Sequence, residues 1–104
     1  MVKIDDWNDP KLMEAILIWT GYGDSMSPRR DSSMVVQRFG SEATKWISLI
    51  ELLEDEFYES KANFESANMQ EMSAMVIADF RKKYPEVPDE ITKALAWCYT
   101  FDNR

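Results

Sequence analysis

The residues in this chain whose types could do chemistry are acids: Glu51, Glu54, Asp55 and Glu59 gather around Tyr58. Carboxylates can move protons, hold hard cations or meet a basic partner, and each use needs different company. Catalysis through a His-based dyad or triad is excluded, because the sequence has no histidine. Cys98, the single cysteine, shares an apolar helical face with Ile91, Ala94 and Leu95 and reads as a buried thiol rather than a nucleophile. Neither DDWND nor ELLEDE has the alternating Asp/Asn and Gly of a calcium loop. Gly21-Tyr22-Gly23 follows a predicted helix rather than a strand, so it is no dinucleotide fingerprint. No cofactor and no structural metal are expected, nor is enzymatic activity. Binding by charge remains.

The element that must carry these acids runs from Ser41 to Glu59. Trp46, Ile50, Leu53 and Phe57 recur at spacings of four, three and four and stack on one side of a helix. Glu51, Glu54, Asp55, Tyr58 and Glu59 fall on a nearly opposite face. Glu51 with Asp55, and Asp55 with Glu59, are like charges one turn apart, each destabilising by about 0.2 to 0.5 kcal/mol. No Lys or Arg stands between Trp46 and Ser60 to offset them, and the C-terminal end of a helix dipole is the wrong end for acids. A solvated face is the plainer reading; a basic partner accounts for the penalty. On this view Glu54→Lys with Asp55→Lys leaves the fold unchanged or slightly more stable and weakens association. A second candidate cluster is Asp5, Asp6 and Trp7, a charged arm with one large apolar anchor.

The remaining elements follow from punctuation. Asp9-Pro10 starts a first helix and Gly21 stops it. The stretch from Gly21 to Ser32 reads as a mobile loop whose Arg29-Arg30 pair is solvated, and it is an alternative interface. Asp31 or Ser32 caps a short helix ending at Phe39, and Ser41 caps the central helix. Ser60 to Glu65 reads as a connection, after which Ser66 caps a helix with Met69, Met72, Val76 and Phe80 on its core face and Arg81, Lys82 and Lys83 at its end. Those methionines read as core in preference to an adaptable groove. Pro85 and Pro88 separate a last helix. The expectation is all-α: a compact single-domain bundle of about five helices spanning residues 1–104.

A chain of 104 residues with 45% hydrophobic residues can bury its own core. A formal charge of -7 repels phosphate backbones and anionic membranes, so direct nucleic-acid binding and membrane association are not expected. The longest apolar run, Ala15 to Trp19, is far too short to span a bilayer, and MVKIDDW lacks a signal-peptide core. With one cysteine, the cytoplasm is the expected compartment.

A small, acidic, aromatic-rich helical domain without catalytic equipment resembles the immunity proteins of bacterial toxin systems, of the colicin and contact-dependent inhibition type. The resemblance is one of kind, carried by Glu51, Glu54, Asp55, Tyr58 and Glu59 with Asp5, Asp6 and Trp7. It implies a cognate toxin protein as partner, often a basic nuclease, whose substrate surface is covered by complementary charge. Two other classes fit the composition: an acidic mimic of nucleic acid that inhibits a defence enzyme, and a non-catalytic regulatory subunit of a larger complex.

Overall fold

The computed structural model describes residues 6–103, and among them every regular element is helical. Helix α1 (Pro10–Thr20) begins as its residues dictate: the Asp9 carboxylate accepts from the Lys11 N–H at 2.9 Å, and Pro10 takes the first turn, where no N–H is needed. Gly21 ends it at φ 80, with its N–H donated to the Leu17 carbonyl. A Cβ at Gly21 would lie 2.7 Å from Arg29 Nε and 2.9 Å from Ser25 Cβ, so both backbone hand and space require glycine there. The loop that follows folds back on α1: the Arg29 and Asp31 N–H groups donate to the Thr20 and Trp19 carbonyls at 2.9 and 3.1 Å. The mobile, solvated loop expected from its composition is instead tied down at both arginines.

Helix α2 (Ser32–Phe39) is capped by Asp31, and a single 3-10 turn, Gly40–Glu42, leads into α3 (Ala43–Phe57). Ser41 therefore does not cap α3. The turn carries the chain into the helix directly, with the Ala43 N–H donated to the Gly40 carbonyl. The apolar stripe of α3 is buried as its spacing requires: Trp46, Ile50, Leu53 and Phe57 are each at most 1% exposed.

Two local expectations change. The Ser60 to Glu65 connection contains a one-turn helix, α4 (Ala62–Glu65). It is held from outside: the buried Tyr99 hydroxyl accepts from the Asn63 N–H at 3.1 Å and donates to the Ser60 carbonyl at 2.9 Å. Helix α5 (Met69–Lys83) is capped by Asn68 rather than Ser66. Asn68 accepts from the Glu71 N–H at 2.8 Å while the Glu71 carboxylate accepts from the Ala67 N–H at 3.1 Å, a reciprocal box that satisfies more orphan donors than a lone serine. Met72, Val76 and Phe80 are buried, whereas Met69 is 45% exposed. The expected five helices thus become four of eleven residues or more, α2 with eight, and the single turn of α4.

Helix α6 (Asp89–Asp102) is buried on more sides than α3. Its expected core face, Ile91, Ala94, Leu95 and Cys98, is buried, and so are Ala96 and Tyr99 on the adjoining side. The reason is that α6 packs against α5, α1 and α3 together, so more than one stripe is covered. Phe57 joins α3 to this layer, with ring centroids 5.0 Å from Phe80 and 6.3 Å from Tyr99. One continuous core runs from Trp7 to Tyr99. Among the described residues no helix is long and apolar enough to cross a membrane.

Candidate functional site

The acidic face of α3 is divided by the way the neighbouring elements dock on it. On the edge that meets the Gly21–Asp31 loop and the end of α6, Arg30 reaches in from a left-handed backbone at φ 49, uncommon for a residue with a side chain. Its Nε donates to Glu54 at 2.9 Å, and its Nη2 donates to the Tyr58 hydroxyl at 2.7 Å and to Asp102 at 2.6 Å. The Tyr58 hydroxyl in turn donates to Asp102 at 2.5 Å. The network joins three elements, and its ion-paired side chains are only 22 to 34% exposed.

The electrostatics follow from that enclosure. Burial opposes the charge on Arg30, but the hydrogen bonds to Glu54 and Asp102 outweigh it and raise the pKa. Burial, helped by the hydrogen bond to Asp102, raises Tyr58 well above the ordinary phenol range despite the opposing pull of Arg30. Cys98 is fully buried, and burial pushes its thiol up to about 12. Such a thiol is neutral at neutral pH.

On the opposite edge, Lys83 of α5 pairs with Glu59 and also donates to the Glu56 carbonyl at 3.1 Å. Two of the five residues read as a free acidic face, Glu54 and Glu59, therefore have internal cations, and Tyr58 is bound as well. Glu51 and Asp55 remain. Both are exposed and, among the described residues, neither has an ion-pair partner. Glu59 keeps a side chain 63% exposed in spite of Lys83. Helix α3 ends at Phe57 rather than at the expected Glu59, so the exposed acidic ridge consists of Glu51 and Asp55 on its outer face followed by Glu59 in the turn beyond its end.

Of the second cluster, Asp6 and Trp7 lie among the described residues, and Trp7 is not exposed. Trp7 is only 8% exposed and packs edge-on against Tyr84 with centroids 5.7 Å apart, so this anchor is spent inside the core. Asp6 lies 3.9 Å from the ammonium of Lys45 on the first turn of α3, and Asp5 falls outside the described residues. Among the described residues no group of His, Cys, Asp or Glu converges to hold a metal ion.

Sequence reasoning missed Arg30, Lys83 and Asp102 as members of this region. The signal that could have found Arg30 and Lys83 is the like-charge penalty itself, which asks for cations from anywhere in the chain. Both arrive from 24 positions away, outside any helical window. What the surface offers chemically is negative charge and hydrogen-bond acceptors on a rigid helix. Compared with known proteins, the chain matches no family model, no curated protein and no solved structure.

Proposed function

We propose that the protein is a non-catalytic inhibitor of the immunity type, which binds a basic toxin domain in the cytoplasm through the Glu51–Asp55–Glu59 ridge and covers its substrate surface. The observation that carries this reading is selective neutralisation. The fold supplies Arg30 to Glu54 and Lys83 to Glu59, yet among the described residues Glu51 and Asp55, one turn apart, have no cation partner. That pair costs the helix about 0.2 to 0.5 kcal/mol, and a partner's lysines or arginines would turn the cost into attraction. The rigid backing of Trp46, Ile50, Leu53 and Phe57 means that little ordering is needed when the partner docks.

The test is titration calorimetry of the wild type and of the Glu51→Lys, Asp55→Lys variant against the toxin domain encoded beside this gene. If the ridge meets desolvated cations, each reversal weakens binding by at least about 2 kcal/mol and raises the dissociation rate. A folded double variant with wild-type affinity returns the ridge to ordinary solvated surface and sinks the reading.

A further inference from the structure

We infer that Met26 is a site of reversible oxidation by peroxide, and that its sulfoxide changes the apolar surface in front of Trp97 while leaving the fold intact; the inference is independent of the acidic ridge. Met26 is 98% exposed, the most open large apolar side chain among the described residues. The backbone beneath it is held in place. The Ser25 hydroxyl donates to the Ser27 carbonyl at 2.8 Å and accepts from the Ser27 N–H at 3.4 Å, so one serine closes the turn that has Met26 at its tip. On either side, the Ser25 N–H donates to the Gly21 carbonyl at 2.8 Å and the Arg29 N–H to the Thr20 carbonyl at 2.9 Å. The thioether is thus presented to solvent by a bonded turn.

Met26 stands at the mouth of a hollow of about 160 Å³, whose other walls are Met69, Trp97, Thr100 and Phe101. None of these residues is charged. Trp97 also meets Tyr22, with ring centroids 5.7 Å apart, which ties the hollow to the start of the same loop. Trp7, Trp19 and Trp46 are buried, so Trp97 is the tryptophan that reports on this surface.

Oxidation of a thioether needs access of the oxidant to sulfur and no prior loss of a proton. A sulfur lone pair attacks one oxygen of hydrogen peroxide, and the O–O bond breaks as the S–O bond forms. The proton on the transferred oxygen passes through solvent to the departing hydroxide, which leaves as water. Sulfur loses two electrons and the peroxide gains them. A thiol-dependent sulfoxide reductase reverses the change, with two thiols giving a disulfide and water. Access singles out Met26: Met72 and Cys98 are buried, Met13, Met34 and Met75 are partly covered, and Met69 is the next most open. Because Met26 belongs to no part of the core, a polar sulfoxide there displaces no packed neighbour. It does place a strong hydrogen-bond acceptor where the hollow had an apolar rim, and water follows it towards Trp97.

The experiment treats the full chain with dilute hydrogen peroxide, beside N-acetyl-L-methionine amide in the same buffer, and maps the added oxygen by peptide mass; Met1, outside the described residues, is resolved by the same map. Met26 should oxidise within about twofold of the free amide and at least about threefold faster than Met69. The oxidised protein should keep its helical circular dichroism and a thermal midpoint within about 2 °C of the untreated chain. Acrylamide quenching of the accessible tryptophan should rise on oxidation, return after treatment with a methionine sulfoxide reductase and dithiothreitol, and stay constant in peroxide-treated Met26→Leu. Trp97→Phe should remove the responsive signal, which separates it from the buried tryptophans. Oxidation of Met69 or any other described methionine as fast as Met26, a melt lowered beyond that range, or quenching that is the same before and after modification would each overturn the proposal.

Discussion

Glu54 and Asp55 are neighbours in sequence and alike in chemistry, yet they belong to different regions of the molecule. Glu54 points along the edge where the Arg30 loop and the end of α6 converge, and there it is one corner of a closed set of hydrogen bonds with Arg30, Tyr58 and Asp102. Asp55, one residue and about 100° further round the helix, meets solvent. The first region uses charge to hold elements together, and the second displays charge. The difference teaches that an acidic stripe is a property of a helix, whereas its use is a property of what docks beside each edge. It also changes the probe: Glu54→Lys would set lysine against Arg30 and Glu54's partners, so it is no longer the fold-neutral reversal that the helix alone suggests.

The strongest way to break this contrast is to empty the closed edge. Arg30→Ala removes three side-chain hydrogen bonds and leaves Glu54, Asp102 and the Tyr58 hydroxyl without their cation. Fully buried pairs lose about 3 to 5 kcal/mol when one partner goes, and partial exposure here reduces the expected loss to about 2 to 3 kcal/mol. Arg30→Gly should be milder than alanine by up to about 1 kcal/mol, because the backbone at φ 49 suits glycine. Urea unfolding of the three proteins measures both differences. A loss below about 0.5 kcal/mol for alanine would put the two edges in one class.

Alkaline titration sharpens the comparison at an intermediate scale. The folded pKa of Tyr58 lies above its ordinary value of 10, so its contribution to stability is complete below about pH 10 and is lost as the pH rises beyond it. Cys98, pushed up to about 12 from 9, acts with the same sign from about pH 9 upward. Thermal melts between pH 8 and 11 should therefore fall with pH in the wild type. In Tyr58→Phe the fall above pH 10 should flatten, after an initial loss of about 1 kcal/mol at neutral pH for the missing hydroxyl bonds. Equal slopes in both proteins would mean that the phenol is no more enclosed than a surface tyrosine.

The smallest effect tests the open edge. Glu51→Lys with Asp55→Lys should stabilise the isolated protein by a few tenths of a kcal/mol, since it converts repulsion along the helix into alternating charge near Glu54 and Glu59. Chemical denaturation of matched samples at low salt detects a change of that size and sign. A clear loss of stability would show that Glu51 or Asp55 has structural work after all.

Much of the architecture was legible because its signals are local. The stripe of Trp46, Ile50, Leu53 and Phe57, the Asp9-Pro10 start, the Gly21 stop and the inward Cys98 all follow from residues within a turn or two of one another. The errors share a cause as well. Ser66 is the expected cap, and Asn68, an equally good cap residue, takes the place because Glu71 completes a box with it. Helix α4 has no local signal, because Tyr99, 36 positions away, supplies the bond that holds its first turn. Trp7 packs as an apolar anchor between aspartates should, but its burial against Tyr84 takes it out of the expected partner-binding cluster.

By itself, then, the sequence determined that the chain is helical, which stripe of each long helix is apolar, and that α3 carries a surplus of acid. These are matters of period, propensity and cap, all decided within a helical repeat. Only the tertiary structure decided which acids are spent and which are left. Arg30 meets Glu54 across 24 positions and Asp102 across 72, distances in sequence at which pairing depends on how whole helices dock. Docking is driven by the buried apolar faces, with charges carried along on the rims. The ion pairs and the bare ridge are therefore consequences of core packing, and no local pattern of charges encodes them.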